Sequence, residues 1–332
     1  MILSLSGERL ARTVLAPTVC AVLLTAAGGA LAQDAYPAKV IRIVAPTSAG
    51  AANDFVARLI AKGLSERYGK QVIVENRPGA GTIIGSEVVA KAPPDGYTLL
   101  MGLSTLAINP ATYKKIPYDA LTDFAPITQA VSLPNLLIVH PSLPARSVKE
   151  LIAFAKAQPG QLLYASAGQG THPHLSMELF AAMANIKLVH VPYKSVGPAM
   201  TDLVAGHVAL SQQNMLDAIP QVRSGRLRAL GVTSARRISI APDIPTIDEA
   251  GVKGYESVQW YGLFARAGTP PDIINKIYRD TAAVLNTPEN RSRLATDGVE
   301  VVASSPEQFS TLLKTETVRW AKVAKTARIE PQ

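Results

Sequence analysis

Residues 164–180 read YASAGQGTHPHLSMELF. Strand-like residues end in a loop of Ser, Ala and Gly, and a run with helical spacing follows from Thr171. Strand, Gly-rich loop and helix in that order are the repeating piece of an α/β fold. The helix start offers unpaired N–H groups and about half a positive charge, which suits a negative guest. Three guests fit this description: a nucleotide, an acyl intermediate or a free carboxylate.

The same alternation runs outward in both directions. KVIRIVA (39–45) reads as a strand, and after the loop PTSAGAAND the apolar Phe55, Val56, Leu59, Ile60 and Leu64 fall at helical spacing. QVIVE (71–75), the loop NRPGAG, a helix near 82–91 and YTLLMG (97–102) continue the series. Further on come helix 147–157, strand LLYA, a helix from Thr171, strand LVHV, helix 197–205, strand VALS, helix 215–223 and strand LRALGV. Thr269 is placed to cap a helix with Pro270 in its first turn, and a last helix spans about 306–326 with Phe309, Leu312, Leu313, Trp320 and Val323 on one face. Those faces need a sheet. The first set of strands supplies it if residues 33–135 and 256–332 form one domain and 136–255 the other, the chain crossing near SLPN (132–135) and YESVQW (255–260). A double crossing allows a cleft to close while limiting twist.

At the N-terminus, Arg9 and Arg12 precede an apolar run from Val14 to Ala27, and ALA at 30–32 supplies the small residues a signal peptidase accepts. Residues 1–32 therefore read as a cleavable signal peptide, which implies export. No later window approaches 18 consecutive apolar residues. Cys20 is the only cysteine and lies inside the signal, so no thiol, disulfide or Cys–metal chemistry is expected of the mature chain. The net charge of +8 is dispersed, no run of Lys and Arg reaches four, and aromatic residues make up 5%. That pattern argues against nucleic acid and leaves a field that favours anionic ligands.

In parallel sheets ligands bind beyond the carboxyl ends of the strands. Four Gly/Ser/Thr-rich loops fall there, at 46–53, 76–82, 102–106 and 165–171. Ordinary turn chemistry explains any one of them; several at one sheet edge point to a ligand. A nucleotide is disfavoured, because there is no G-x-x-x-x-G-K-S/T, and GAGTIIG (79–85) has its third glycine one position too late for a dinucleotide loop. Ser166 stands in YASAG, not in G-x-S-x-G, and the flanking loops supply no evident Asp and His pair, so a serine hydrolase is the weaker alternative. His172 and His174 are two apart, a poor helical spacing for a metal, and no carboxylate completes a site. No metal and no cofactor are expected. His172 reads either as a solvated loop residue or as a donor to an anion, and His174 as a packing or loop-fixing residue. His140, His190 and His207 receive no role. Asp54 is either a first-turn carboxylate or a residue that shapes the site.

A series of phrases in order along the mature chain carries a resemblance: YPAKVIRIVAPTSAGAANDF, VIVENRPGAG, PDGYTLLMG, HPSLPARSVKELIAFAKAQPGQLLYASAGQGTHPHLSMELF, VHVPYK, PDIPTIDEAG and WYGLFARAGTP. The chain resembles the Bug-type solute-binding proteins of tripartite tricarboxylate transporters. That resemblance implies an α/β, two-domain periplasmic-binding-protein (Venus flytrap) fold with two mixed, mainly parallel sheets and a hinge. It also implies a monomeric receptor, not an enzyme, which captures a small organic carboxylate and delivers it to membrane permease subunits. A ligand-sensing partner of a signalling system is a second use of the same design. By matching motifs, Thr47, Ser48, Gly50 and Asn53 line one wall, with Gly79 and Gly81 nearby and Ser104 and Thr105 behind. Ser166, Ala167, Gly168, Gly170, Thr171 and His172 line the other.

Departures from the family pattern refine the expectation. The first loop in the family usually reads P-F-x-x-G-G-x-x-D, whereas Thr47 and Ala51 stand here. Gln213 occupies a position where an acidic residue is common. Its neutrality lowers the expectation of an amino-bearing ligand and favours an unaminated dicarboxylate, aliphatic or aromatic.

Overall fold

Apolar residues that recur every second position, or run without a break, make strands wherever both faces can be covered. In the computed structural model, which describes residues 36–332, β1 (Ile41–Ala45) is such a run: Ile41, Ile43, Val44 and Ala45 are all fully buried. The signal peptide expected over residues 1–32 lies outside the described residues. β1 pairs in parallel with β2 (Val72–Asn76) and β3 (Thr98–Leu103), and α1 (Ala52–Tyr68) and α2 (Ile83–Ala90) make the crossovers. Beyond β3, α3 (Thr105–Thr112) begins at once, where the sequence suggested only a loop.

The next strand is the longest. β4 (Phe124–Val139) has 16 residues and includes Pro126 and Pro134, neither of which can donate to a ladder. Its register shifts between Pro126 and Thr128 and again between Gln129 and Val131, so bulges absorb the first interruption. As far as Pro134, β4 is antiparallel to β9 (Val258–Arg266), which in turn is antiparallel to β3. From Asn135 onward, β4 is antiparallel to β7 (Leu210–Asn214) and β8 (Arg228–Val232). β7 continues in parallel to β5 (Leu163–Ser166), and β5 to β6 (Val189–Pro192). A two-residue strand, β10 (Glu300–Val301), pairs with β4 at Ser132 and Val131.

The result is an α/β fold whose sheet order is β2-β1-β3-β9-β4-β7-β5-β6. Every antiparallel pair involves β4 or β9, and the strands outside them are parallel. α4 (Val148–Ala157), α5 (His172–Ala184), α6 (Val196–Val204) and α7 (Met215–Arg223) cover the half that contains β5–β8, in two apolar clusters on its opposite faces. α8 (Pro271–Leu285), α9 (Pro288–Thr296) and α10 (Pro306–Thr326) return to the first half. Thr269 does not cap α8; its hydroxyl donates to Arg266 O, and the helix starts one residue later than expected, at Pro271 with Pro270 as its cap. α10 begins with a capping box, Ser305 and Gln308 each bonding the other's backbone N–H. It buries Phe309, Leu313, Trp320 and Val323 against Leu100, Leu106, Trp260 and Phe264.

Where β4 changes partners, the backbone is tied closely. Asn135 N–H donates to Thr233 Oγ1 (2.8 Å), Thr233 N–H to Asn135 O (2.9 Å), and Ser257 N–H to Thr233 O (2.8 Å). Beneath the β4–β9 ladder, Gly262 admits the ring of Phe309: a Cβ there would lie 2.3 Å from its Cζ and 2.6 Å from Thr128 O. Gly262→Ala is therefore expected to destabilise the fold by about 1–3 kcal/mol, read as a lower urea midpoint with an unchanged slope.

Candidate functional site

The loops that follow β1, β2, β3 and β5 carry most of the polar residues singled out by sequence, and β7 ends opposite Asn135, where β4 changes partners. The first of these loops is shaped from below by Asp54. This buried carboxylate accepts from Gly50 N–H (2.9 Å), Asn76 Nδ2 (2.9 Å) and Arg58 Nε (3.0 Å). Burial raises its pKa, but those three bonds together outweigh burial and hold it below the usual carboxylate value. Asp54 thus shapes the loop, with Gly50 at φ +82° as its turn. Asn53 is buried and donates to Met101 O at the end of β3 (3.1 Å), while Thr47 Oγ1 donates to Asn53 Oδ1 (3.3 Å). Ser48 and Gly50 are exposed at the rim.

The second and third loops join this wall through side chains. Thr82 and Thr105 share a hydroxyl–hydroxyl bond of 2.7 Å, and Asn109 Nδ2 donates to Gly81 O (3.0 Å). Gly79 is exposed and Gly81 half-buried; both have positive φ. Ser104 is fully buried and its Oγ accepts from Trp260 N–H (2.9 Å), so it links β3 to β9 and Thr105 is the one that reaches the neighbouring loop.

The loop of residues 166–171 is folded around one carbonyl. Gly168 O accepts from Ser166 Oγ (3.0 Å), Thr171 Oγ1 (2.7 Å) and Thr171 N–H (3.3 Å). Gly168 at φ +128° and Gly170 at φ +74° turn the peptides so that this carbonyl faces inward. Among the described residues, the amides of Ala167 and Gln169 have no hydrogen-bond acceptor. The amide between them, Gly168 N–H, is taken by Ser166 Oγ (3.1 Å), so the loop offers two free donors on either side of a filled one, and backbone donors in a turn of this kind can accept an anion. Gly170 also abuts the first wall: a Cβ there would lie 2.8 Å from Thr112 Oγ1 on α3.

The histidines are placed differently from the sequence reading. His172 is fully buried at the first position of α5, not solvated in a loop. Its Nδ1 faces Asn135 Nδ2 (3.4 Å), its Nε2 faces Ser257 Oγ (3.2 Å), and its ring meets the edge of Trp320, so it stands between β4 and the start of β9. Burial, then the nearby Arg319, push its pKa down to about 3. His174 does fix the loop: its Nδ1 accepts from Gly170 N–H (3.1 Å). His190, to which no role was given, lies 2.6 Å from Ser166 Oγ through Nε2. Ser166 and His190 make a pair without a third member, because no carboxylate bonds His190 among the described residues, and Ser166 is fully buried. Parallel pairing of Tyr164 with His190 across β5 and β6 creates this contact, and spacing in the sequence could not disclose it.

Gln213 ends up buried in β7, donating to Ser211 Oγ (2.9 Å), which donates to Ala165 O (2.7 Å). Its Oε1 has no partner among the described residues. Its neighbour Gln212 turns to the other face and bonds Ser176 and Tyr255. A separate concavity of about 960 Å³ lies against β10, α9, α10 and residues 234–240. None of the candidate ligand-binding residues named from the sequence lines it, although Ser132, Pro134 and Trp260 of the two chain crossings do.

Comparison with known proteins adds what geometry alone leaves open. Residues 56–329 match the family described as "Tripartite tricarboxylate transporter family receptor". Protein BugT of Bordetella pertussis is 35% identical over 311 residues, covering 92% of this chain and 95% of that protein. A solved R. palustris protein with adipate has 38% identity and a TM-score of 0.83, covering 90% of this chain and 100% of that one. MatC from Rhodopseudomonas palustris with bound malate has 30% identity and a TM-score of 0.77, covering 87% and 99%. Fold, loop construction and relatives agree: the chain belongs to the receptor family of the tripartite tricarboxylate transporters, a family of solute-binding proteins and not of enzymes.

Proposed function

We propose that this protein captures a small organic dicarboxylate in the periplasm and delivers it to the permease subunits of a tripartite tricarboxylate transporter. Residues 33–135 with 256–332 act as one lobe and 136–255 as the other, with β4 and β9 as the connections. The acid sits between the loop of Thr47, Ser48, Gly50 and Asn53, backed by Gly79, Gly81 and Thr105, and the loop of Ser166, Ala167, Gly168, Gly170 and Thr171. Ser104 and His172 serve from behind, by holding β9 and the crossover. The observation that carries this reading is the inward-turned Gly168 carbonyl beside the unpaired amides of Ala167 and Gln169. The adipate and malate held by the two relatives support the ligand class.

Neutral donors suffice energetically. A hydrogen bond to a charged group contributes about 1.5–3 kcal/mol net, so four give roughly 6–12, and micromolar affinity needs about 8 kcal/mol. Lobe closure expels water and strengthens each of them.

A thermal-shift and titration panel of adipate, malate, aromatic dicarboxylates, amino acids and sugars tests the reading. At least one dicarboxylate should raise the melting temperature; a silent set of acids beside a positive sugar or amine would defeat it. Ser166→Ala removes the hydroxyl that holds Gly168 and should weaken that acid by about tenfold, whereas loss of a turnover reaction would mark a hydrolase instead. Gln213→Glu adds a negative charge at a buried position and should weaken an unaminated dicarboxylate by more than about tenfold. Unchanged affinity in that variant would place Gln213 outside the cleft.

A further inference from the structure

Below the 166–171 loop lies a stack of three rings that the proposed binding reaction leaves unexplained. The imidazoles of His174 and His190 are 3.9 Å apart between centroids and 11° from parallel. Tyr164 is near parallel to both, at 4.9 Å from His190 and 6.4 Å from His174 and 21° to each, and its hydroxyl donates to Glu178 Oε1 (2.5 Å). Each imidazole touches the loop at one point: His174 Nδ1 at Gly170 N–H, His190 Nε2 at Ser166 Oγ. These two contacts stand at the beginning and near the end of the segment whose middle carries the unpaired amides.

We infer that His174 and His190 are the positioning residues of the carboxylate loop: the stacked pair, acting as uncharged imidazoles, pins Ser166 and Gly170 so that the amides between them converge on one anion. The inference rests on the reading of this loop as the acid-binding wall.

The chemistry of each contact fixes what the ring must be. Gly170 N–H can be accepted only by a bare Nδ1, so His174 carries its proton on Nε2. Ser166 Oγ has a single proton. When it donates to Gly168 O, the bond to His190 is filled by a proton on Nε2 of that ring. The contact with Gly170 thus fixes His174 as neutral, and stacking in a buried site disfavours a charge on His190. Burial drives the same way, lowering His174 to about 3, with His190 as the second cause, and His190 to about 4. Tyr164 lies beside the pair with its hydroxyl held by Glu178, and burial raises the pKa of both. A neutral stack also leaves the field above the loop to the amide dipoles alone. Gly170 is buried, so an N–H without an acceptor there would have to turn elsewhere, taking the next amides with it.

The test separates hydrogen-bonding from bulk. His174→Asn keeps an acceptor near the Nδ1 position, and His190→Gln keeps a polar group near Nε2; His174→Leu and His190→Leu keep volume only. With adipate and malate as probes, the two Leu variants should bind at least about tenfold more weakly than wild type, and the Asn and Gln variants within about threefold. Amide hydrogen exchange without any ligand should rise at Gly168 and Gly170 in the Leu variants while core strands β1 and β4 stay protected. Wild-type affinity, once corrected for protonation of the acid itself, should be flat from pH 8 to about 5, because the rings stay neutral throughout that range. Leu variants with wild-type affinity and wild-type exchange overturn the inference, as does an Asn variant as weak as the Leu one. If wild type binds neither these two nor any other dicarboxylate of the panel, the ligand reading fails, and the exchange data still decide whether the stack positions the loop.

Discussion

A single strand carries the molecule. β4 is in register with β9 through Pro134 and with β7 and β8 from Asn135, so both halves of the sheet share one continuous backbone. The position of the change is chemically marked. Pro134 has no N–H, and at Asn135 the ladder is made partly by a side chain, Thr233 Oγ1, in place of a carbonyl. A hydroxyl acceptor on a rotatable bond tolerates more angular variation than a peptide carbonyl locked in a strand, which suits a strand expected to flex there. His172, from the start of α5, faces both Asn135 and Ser257, so the helix that follows the 166–171 loop is anchored at the strand change. Asn135 Oδ1 is left without a partner among the described residues, a buried polar atom at the place where the polar network is least complete.

Much of this was legible in the sequence, for reasons that can be named. Ile41–Ala45 and Leu99–Leu103 are apolar runs of strand length bounded by turn residues, and α1, α8 and α10 repeat apolar residues at helical spacing. The Gly and Ser loops stood out because positive φ selects glycine and helix starts select small polar residues. β4 was less visible. Its two prolines read as breaks, and only the bulges and the partner change, neither of which is a local property, show how 16 residues stay extended. α9 buries only Leu294 among its helical residues, so it leaves almost no periodic trace. The Ser166–His190 contact depends on the pairing of β5 with β6, and Asp54 shows its role only once Gly50, Arg58 and Asn76 surround it.

The proposed recognition by backbone amides gives the net charge of +8 a limited part. Dispersed surface cations raise the local concentration of any anion and act over about 10 Å at ordinary ionic strength, without distinguishing one acid from another. Amides held in place are dipoles with fixed directions, effective only at hydrogen-bonding distance. If the acid binds as proposed, selectivity depends on where the loops stand relative to each other, and so on the parts that hold them: Asp54 under the first loop, the imidazole stack under the second, and β4 between. A guest whose carboxylates match that separation satisfies both walls at once, and a guest one methylene too short satisfies one of them and leaves the other's donors to water. In such a receptor, the polar residues that never touch the acid determine which acid it takes.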